Sequence, residues 1–234
     1  MKKEIKKMKV YSDYDDGFFV KFERPARPEK LAGNYKIPKK IEAENPVCVD
    51  LGAAEGYFTL AHHELFNKVY CFEACYPNFV TLSQNIAKNN LDNKVAIFNF
   101  CVGRYEPDGK KIVDLKFNKN DRPYGNSFKK TAPGSNSVHR VHKIDFHDVF
   151  QLIDEKRIHL LKCDIEGSEL DFLSDKDLSS IDILAIEMHK WVIGENKINR
   201  LTEQILKQNF SLVKSNSPKE PTFVNNNPSC KIIW

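Results

Sequence analysis

An α/β architecture, with a mostly parallel sheet covered by helices on both faces, follows from three features of this chain. Apolar runs of strand length recur at Val47–Leu51, Val69–Glu73, Val95–Cys101, His159–Ile165 and Ile181–Met188. Segments with helical spacing lie between several of them. The runs are apolar on both faces, as expected for strands with helices above and below. With 234 residues, 41% hydrophobic and 29% charged, the chain can build a core of its own.

Residues 1–45 read as an extension and 46–234 as the main domain. In the extension, Lys9–Tyr14 and Phe18–Phe22 flank Asp15-Asp16-Gly17, a hairpin signal, and prolines at 25, 28 and 38 mark an irregular connection. The alternation of strands and helices starts at Pro46. Val47–Leu51 is the first strand and Glu55–Phe66 its helix. Val69–Glu73 is followed by a helix over Pro77–Asn90, with proline in its first turn and Phe79, Leu82 and Ile86 on one face. Residues 104–145 break the rhythm with short alternating pieces (Lys111–Phe117, Val138–Asp145), which predict a β-rich insertion. After His159–Ile165 come a helix over Ser168–Leu173, the strand Ile181–Met188 and an amphipathic helix over Lys197–Gln208. Phe210–Lys214 and Cys230–Trp234 are expected to close the sheet with one antiparallel member. The Asn- and Pro-rich stretch Ser215–Ser229 reads as a mobile loop.

The net charge of +4 fits a lysine-rich solvated surface. Lys129, Lys130 and Arg140, with Tyr124 and Phe128, offer basic and stacking groups, but they are too few and too scattered to favour nucleic acid as partner. The six cysteines show no paired metal-ligand spacing, and Cys48, Cys71, Cys101 and Cys163 sit in apolar runs as small hydrophobes. No apolar core follows the charged start, and no run reaches the length of a membrane span, so a reducing, cytoplasmic setting is the expectation. Nothing in the residues sets an oligomeric state.

In open sheets of this kind, ligands bind beyond the carboxyl ends of the strands. Those ends carry Asp50, Glu73, Cys101, Asp164 with Glu166, and Glu187 with His189. Asp50 starts a turn in which Gly52 and Gly56 are expected to clear space for a cofactor. Ala53 lies between them, Glu55 falls in the first helical turn, and Tyr57 and Phe58 follow. A plain tight strand-to-helix turn would also account for these glycines. The segment lacks both the Gly-Lys-Ser/Thr ending of a phosphate loop and a Gly-x-Gly-x-x-Gly fingerprint. About twenty residues on, Glu73, followed by Ala74, suits a ribose diol. Cys101 and Val102 suit a flat heterocycle, or equally a buried strand end. Lys162, Asp164 and Glu166 share one face if their strand stays extended; either they pair with one another or they line a cavity. His189, two residues from Glu187, is a candidate base, although a lone histidine is more often structural.

At these residues the chain resembles the FkbM family of S-adenosylmethionine-dependent methyltransferases, which have a Rossmann-like class I fold. The likeness covers about residues 46–190 and rests on Val49–Leu60, Val69–Glu73 with Pro77 and Asn78, Asn85–Asn90, Val141–Asp145 and, most specifically, Leu160-Leu161-Lys162-Cys163-Asp164-Ile165-Glu166-Gly167-Ser168-Glu169-Leu170. Ala74 departs from the proline that often follows the acid. The resemblance implies O-methyl transfer to a sugar hydroxyl or natural-product scaffold, with S-adenosyl-L-methionine held by Asp50, Gly52, Ala53, Glu55, Gly56, Tyr57, Phe58, Glu73, Ala74, Cys101, Val102 and Asp164. His189 is expected as base, with Asp164 and Glu187 orienting it or the acceptor. In an alternative, Asp164, Glu187 and His189 hold a magnesium or manganese ion that acidifies the hydroxyl. Phe117, Tyr124, Phe128 and Trp191 are candidates to stack on a carbohydrate or other hydroxyl-bearing acceptor, Trp191 foremost. Nucleic-acid methylation and a non-catalytic cofactor-binding module are the competing functions.

Overall fold

A computed structural model describes residues 9–12, 22–25, 32–117, 137–213 and 217–234. Its elements in chain order begin with β1 (Lys9–Ser12), β2 (Phe22–Pro25), β3 (Lys40–Glu42), β4 (Val47–Leu51) and α1 (Tyr57–His62), which runs into a 3-10 turn at His63–Leu65. Then come β5 (Lys68–Phe72), α2 (Tyr76–Lys88), β6 (Val95–Phe98), β7 (Cys101–Val102), β8 (Ile112–Phe117), β9 (Ser137–Ile144) and α3 (Phe146–Ile153). The chain finishes with β10 (Ile158–Cys163), α4 (Glu169–Leu173), β11 (Ile181–Ile186), α5 (Lys190–Ile193), α6 (Glu195–Lys207), β12 (Phe210–Val213), β13 (Thr222–Asn225) and β14 (Lys231–Ile233).

The main sheet has seven strands in the order β12-β13-β11-β10-β4-β5-β6. Its five central and right-hand strands are parallel, and β13 runs antiparallel to both β11 and β12. Strands β4 and β11 are buried along their whole length, because apolar clusters cover both faces. One cluster gathers Leu51, Phe72, Leu161, Phe172, Leu184 and Phe223; the other gathers Cys48, Phe58, Leu60, Cys71, Leu82 and Ile183. From β4 the chain runs outward through β5 and β6, then returns on the other side of β4 as β10. The carboxyl ends of β4 and β10 therefore border the switch point where such sheets open a crevice.

The insertion is a second, three-stranded sheet in the order β7-β9-β8, so the run Val95–Cys101 is split between two sheets. β1 and β2 pair antiparallel. The Asp15-Asp16-Gly17 turn, Tyr124, Phe128, Lys129 and Lys130 lie outside the described residues.

Several expectations change. The first helix starts at Tyr57 and not at Glu55, since Ala54 (φ 49°) and Gly56 (φ 91°) keep the preceding residues in a turn. α3 was not anticipated; a reciprocal capping box starts it, Asp145 accepting from His147 N and Asp148 N while Asp148 accepts from Asp145 N. The stretch taken for a mobile loop contains β13, whose Thr222 and Phe223 are fully buried. Just beyond β13, buried Asp182 accepts from Ser229 N (2.9 Å) and Ser229 Oγ (2.6 Å) and pins the chain. With β12 and β13 filling that edge, β14 pairs instead with β3. Among the described residues, no helix is long and apolar enough to cross a membrane.

Candidate functional site at the strand ends

The turn after β4 packs against the end of β10. Gly52 has φ 71°, and a Cβ there would overlap the Asp164 carbonyl oxygen. At Gly56 (φ 91°), a Cβ would come 2.6 Å from Leu82 Cδ1. These glycines thus clear space for the protein's own backbone and core, where a passing cofactor was the expected reason. Gly52 N and Ala53 N both donate to Phe72 O (2.9 and 3.0 Å), which ties the turn to β5.

Beneath the turn lies Lys162, whose Nζ donates to Gly52 O (2.7 Å) and Leu51 O (3.3 Å). It also pairs with Asp50 Oδ1 (3.2 Å) and Asp164 Oδ2 (3.5 Å). Burial alone would lower the lysine's pKa, but the two carboxylates outweigh burial and raise it. Asp50, fully buried, takes a second hydrogen bond from Thr59 Oγ1 (2.7 Å). The Lys–carboxylate network is therefore real, and it locks the turn to β10.

Glu73 directly follows β5, with its carboxylate aimed by two backbone donors: Ala54 N to Oε2 and Cys75 N to Oε1, both 2.8 Å. Burial pushes its pKa up to about 7 against these donors. The Asn78 side chain also donates to this carboxylate, so a vicinal diol would take the lone pair still open and the place of the Asn78 amide. Ala74 packs on the small cluster of Cys75, Cys101, Leu115 and Val141, and Val102 on the main core. Glu55 is buried with Tyr57 Oη donating to it, and Phe58 packs into the core. The structure thus brings Asp50, Gly52, Ala53, Glu73 and Asp164 around the turn, while the side chains of Glu55, Tyr57, Phe58, Cys101 and Val102 are committed to packing.

Four carboxylates surround His189. Its Nδ1 lies 2.9 Å from Glu169 Oε1; its Nε2 lies 3.2 Å from Glu166 Oε2 and 3.8 Å from both Asp164 Oδ1 and Glu187 Oε1. Burial would lower the imidazole, but hydrogen bonds to Glu166 and Glu169 dominate and carry it up to about 11. An imidazolium has no lone pair to offer, so this environment disfavours the base role expected for His189. Burial and the neighbouring Asp164 raise Glu187 to about 7, a value suited to accepting a proton near neutrality.

Glu169 shapes this cage although the sequence offered it only within the matching motif, and Glu166 enters it by a route that an extended strand would not give. Glu169, fully buried, also accepts from Ile165 N (3.0 Å) and Gly167 N (3.1 Å), so it holds the turn and the ring together. Glu166 adopts φ 52° and Gly167 φ 96°, so Glu166 returns over the site from a turn and not from an extended strand. The signal was the acid two residues beyond Gly167. Ligand atoms of Asp164, Glu166 and His189 lie within 4.8 Å of one another, a set able to hold a hard divalent cation once the cation displaces the Nε2 proton, with Glu169 orienting the imidazole from behind. Glu166 takes the place expected of Glu187 in that set. Trp191, 61% exposed, presents its ring edge-on to His189 at 6.4 Å.

Residues 50–212 match the family model of the methyltransferase FkbM domain. The fold is shared with methyltransferase FkbM from Methylobacillus flagellatus KT, at 16% identity and a TM-score of 0.50, over 77% of this chain and 43% of that one. The chain thus spans under half the length of that relative. Looser similarity extends to the ribosomal protein L11 methylase from Lactobacillus delbrueckii subsp. bulgaricus (12% identity, TM-score 0.43, 78% and 70% of the two chains). It extends also to M. capricolum TrmK in complex with S-adenosyl-homocysteine (10% identity, TM-score 0.43, 86% and 68%). No curated protein matches the sequence. On the strength of the domain match over 50–212, the chain belongs to the FkbM family of methyltransferases.

Proposed function

We propose that this chain is an S-adenosylmethionine-dependent O-methyltransferase acting on a hydroxyl of a glycan, glycolipid or natural product, with residues 46–234 as its transferase unit and 1–45 as an extension. One observation carries this reading: Asp164 belongs to both halves of the site. Its carbonyl fills the space that Gly52 leaves, and its carboxylate lies 3.8 Å from His189 Nε2. The turn that suits the methyl donor and the acid–imidazole cage thus share one residue.

When bound, S-adenosylmethionine supplies a methyl group made electrophilic by its sulfonium. Glu73 accepts hydrogen bonds from the ribose hydroxyls, and the turn at 52–54, braced by Lys162, lines the path beside it. The acid-rich end of β10 favours a cationic ligand. Glu187 receives the proton of the acceptor hydroxyl. Asp164, Glu166 and a His189 whose Nε2 proton the ion displaces would hold magnesium or manganese, which if bound would supply Lewis acidity to that hydroxyl. Glu169 keeps the imidazole ring oriented, and Trp191 offers a face on which a sugar or aromatic ring can stack. Holding the reacting groups in register provides much of the acceleration.

The test is transfer of a labelled methyl group to a panel of glycans, glycolipids and small phenols, before and after chelation. We expect an O-methyl ether, lost on chelation and restored by magnesium or manganese. Turnover that survives chelation would remove the cation from the mechanism. Label appearing only on oligonucleotides or on nitrogen would overturn the hydroxyl acceptor.

A further inference from the structure

A segment upstream of the matched domain reaches the strand ends. Ala32 is buried, and Tyr35 and Ile37 pack on the core cluster that contains Phe58. Two bonds from the far end of the chain fasten this strap: Asn34 N donates to Glu220 Oε1 (3.0 Å) and Lys36 N to Thr222 Oγ1 (3.1 Å). Gly33 (φ 85°) lets the backbone fold over the tyrosine, since a Cβ there would stand 2.5 Å from the ring. Phe58 meets the ring edge-on at 5.9 Å and 87°.

So firmly placed a phenol should have a use for its polar end. Yet Tyr35 Oη is buried and has no hydrogen-bond partner among the described residues, an arrangement that costs stability unless something else supplies the bond. After burial, the groups acting on this hydroxyl most strongly are the carboxylates of Asp164, Glu187, Glu220 and Asp50, all of which hold it in the neutral form. The contact of Tyr35 with Phe58 sets this donor beside the helix that follows the β4 turn, and the bond from Asn34 to Glu220 sets it near the end of β11, where Ile186 N and Met188 N donate to Pro221 O (3.0 Å) and Lys219 O (2.6 Å).

The strand order decides what it meets. Glu73 follows β5, on one side of β4; Asp164 and Glu187 follow β10 and β11 on the other. With the ribose at Glu73, the amino-acid end of the methyl donor extends toward β10, and the strong hydrogen-bond acceptor of that end is its carboxylate. We propose that Tyr35 donates a hydrogen bond to the methionyl carboxylate of S-adenosylmethionine, which makes the strap at residues 32–37 part of the donor site. This inference rests on the methyl-donor reading above.

Calorimetry on the full chain separates the two. Wild type and Tyr35→Phe are each titrated with S-adenosylmethionine and with its decarboxylated analogue, and their urea midpoints are compared. Loss of a hydrogen bond to a charged group should weaken Tyr35→Phe for S-adenosylmethionine by about tenfold to a hundredfold. Its affinity for the decarboxylated analogue should equal that of wild type, and its urea midpoint should stay or rise, because phenylalanine keeps the contact with Phe58 and removes an unpaired hydroxyl. Equal losses for both ligands, no loss for either, or a fall in the midpoint would each overturn the role of Tyr35. Wild-type protein that binds neither ligand would overturn the donor site itself.

Discussion

Lys162→Met removes the ammonium that braces this site and keeps most of the side chain's volume. The lysine side chain is 5% exposed and gives its ammonium to Asp50, Asp164 and the carbonyls of Gly52 and Leu51. Methionine fills most of the same volume but offers none of these bonds. Leu51 O still accepts from Asp164 N (3.1 Å), so that loss is small. The Asp50 carboxylate, with no exposure, would keep only the Thr59 hydroxyl among the partners named here. Breaking a buried pair from one side costs about 3–5 kcal/mol, a large share of a total stability of about 5–15 kcal/mol. Urea unfolding at neutral pH, followed by circular dichroism, measures the loss. Adding Asp50→Asn removes the stranded charge and should return about 2 kcal/mol, a coupling well above the additivity limit of about 0.5 kcal/mol. A single variant that loses under about 1 kcal/mol, or a double variant no more stable than the single one, would refute the reasoning.

Gly52→Ala should cost more than about 2 kcal/mol, because overlap with the Asp164 carbonyl adds to the penalty for a left-handed backbone; Gly109→Ala, with φ 70° but no atom within 4 Å, should show only the backbone penalty. Equal losses in chemical denaturation would contradict this. Burial raises Glu73 from 4.5 to about 7, so the fold favours its protonated form. That contribution is complete below about pH 4.5 and is lost as pH rises through 7, costing on the order of 3 kcal/mol above it. The ligand-free protein should therefore lose stability between those limits, and Glu73→Gln should flatten the slope; superimposable pH profiles would count against it. Glu169→Ala strands the amides of Ile165 and Gly167 and should cost about 3 kcal/mol, whereas Glu169→Gln keeps an acceptor and should lose less than half of that. Identical unfolding midpoints for the two variants would mean that the carboxylate does not hold the turn.

The parallel core was legible because Val47–Leu51 and Ile181–Ile186 are apolar on both faces, which only central strands tolerate. The strand ends likewise pointed to Asp164, Glu187 and His189, since topology brings such ends together whatever the details of packing. Composition misled where it opposed local pattern: Thr222-Phe223-Val224 is a good strand inside an Asn- and Pro-rich stretch; the Asp145–Asp148 box, for its part, announced a helix just past the expected insertion, where no element was expected. The glycines were visible but their reason was not. That Asp164 O and Leu82 occupy the missing Cβ space depends on residues far away in sequence. The charge state of His189 was hidden for the same cause, since four carboxylates from the 164–169 turn and β11's end converge on it only in the folded chain. Tyr35 carries no local pattern at all.

Asp164→Asn gives the most direct trial of a shared donor turn and acid–imidazole cage, because it spares the backbone carbonyl packed at Gly52 and removes only the carboxylate. The quantity to measure is the rate of labelled methyl transfer from S-adenosylmethionine to a hydroxyl acceptor, with folding checked by the urea midpoint. Wild type should form an O-methyl ether, and the folded variant should be slower by about a hundredfold or more. A folded Asp164→Asn protein that transfers methyl groups at the wild-type rate would contradict it.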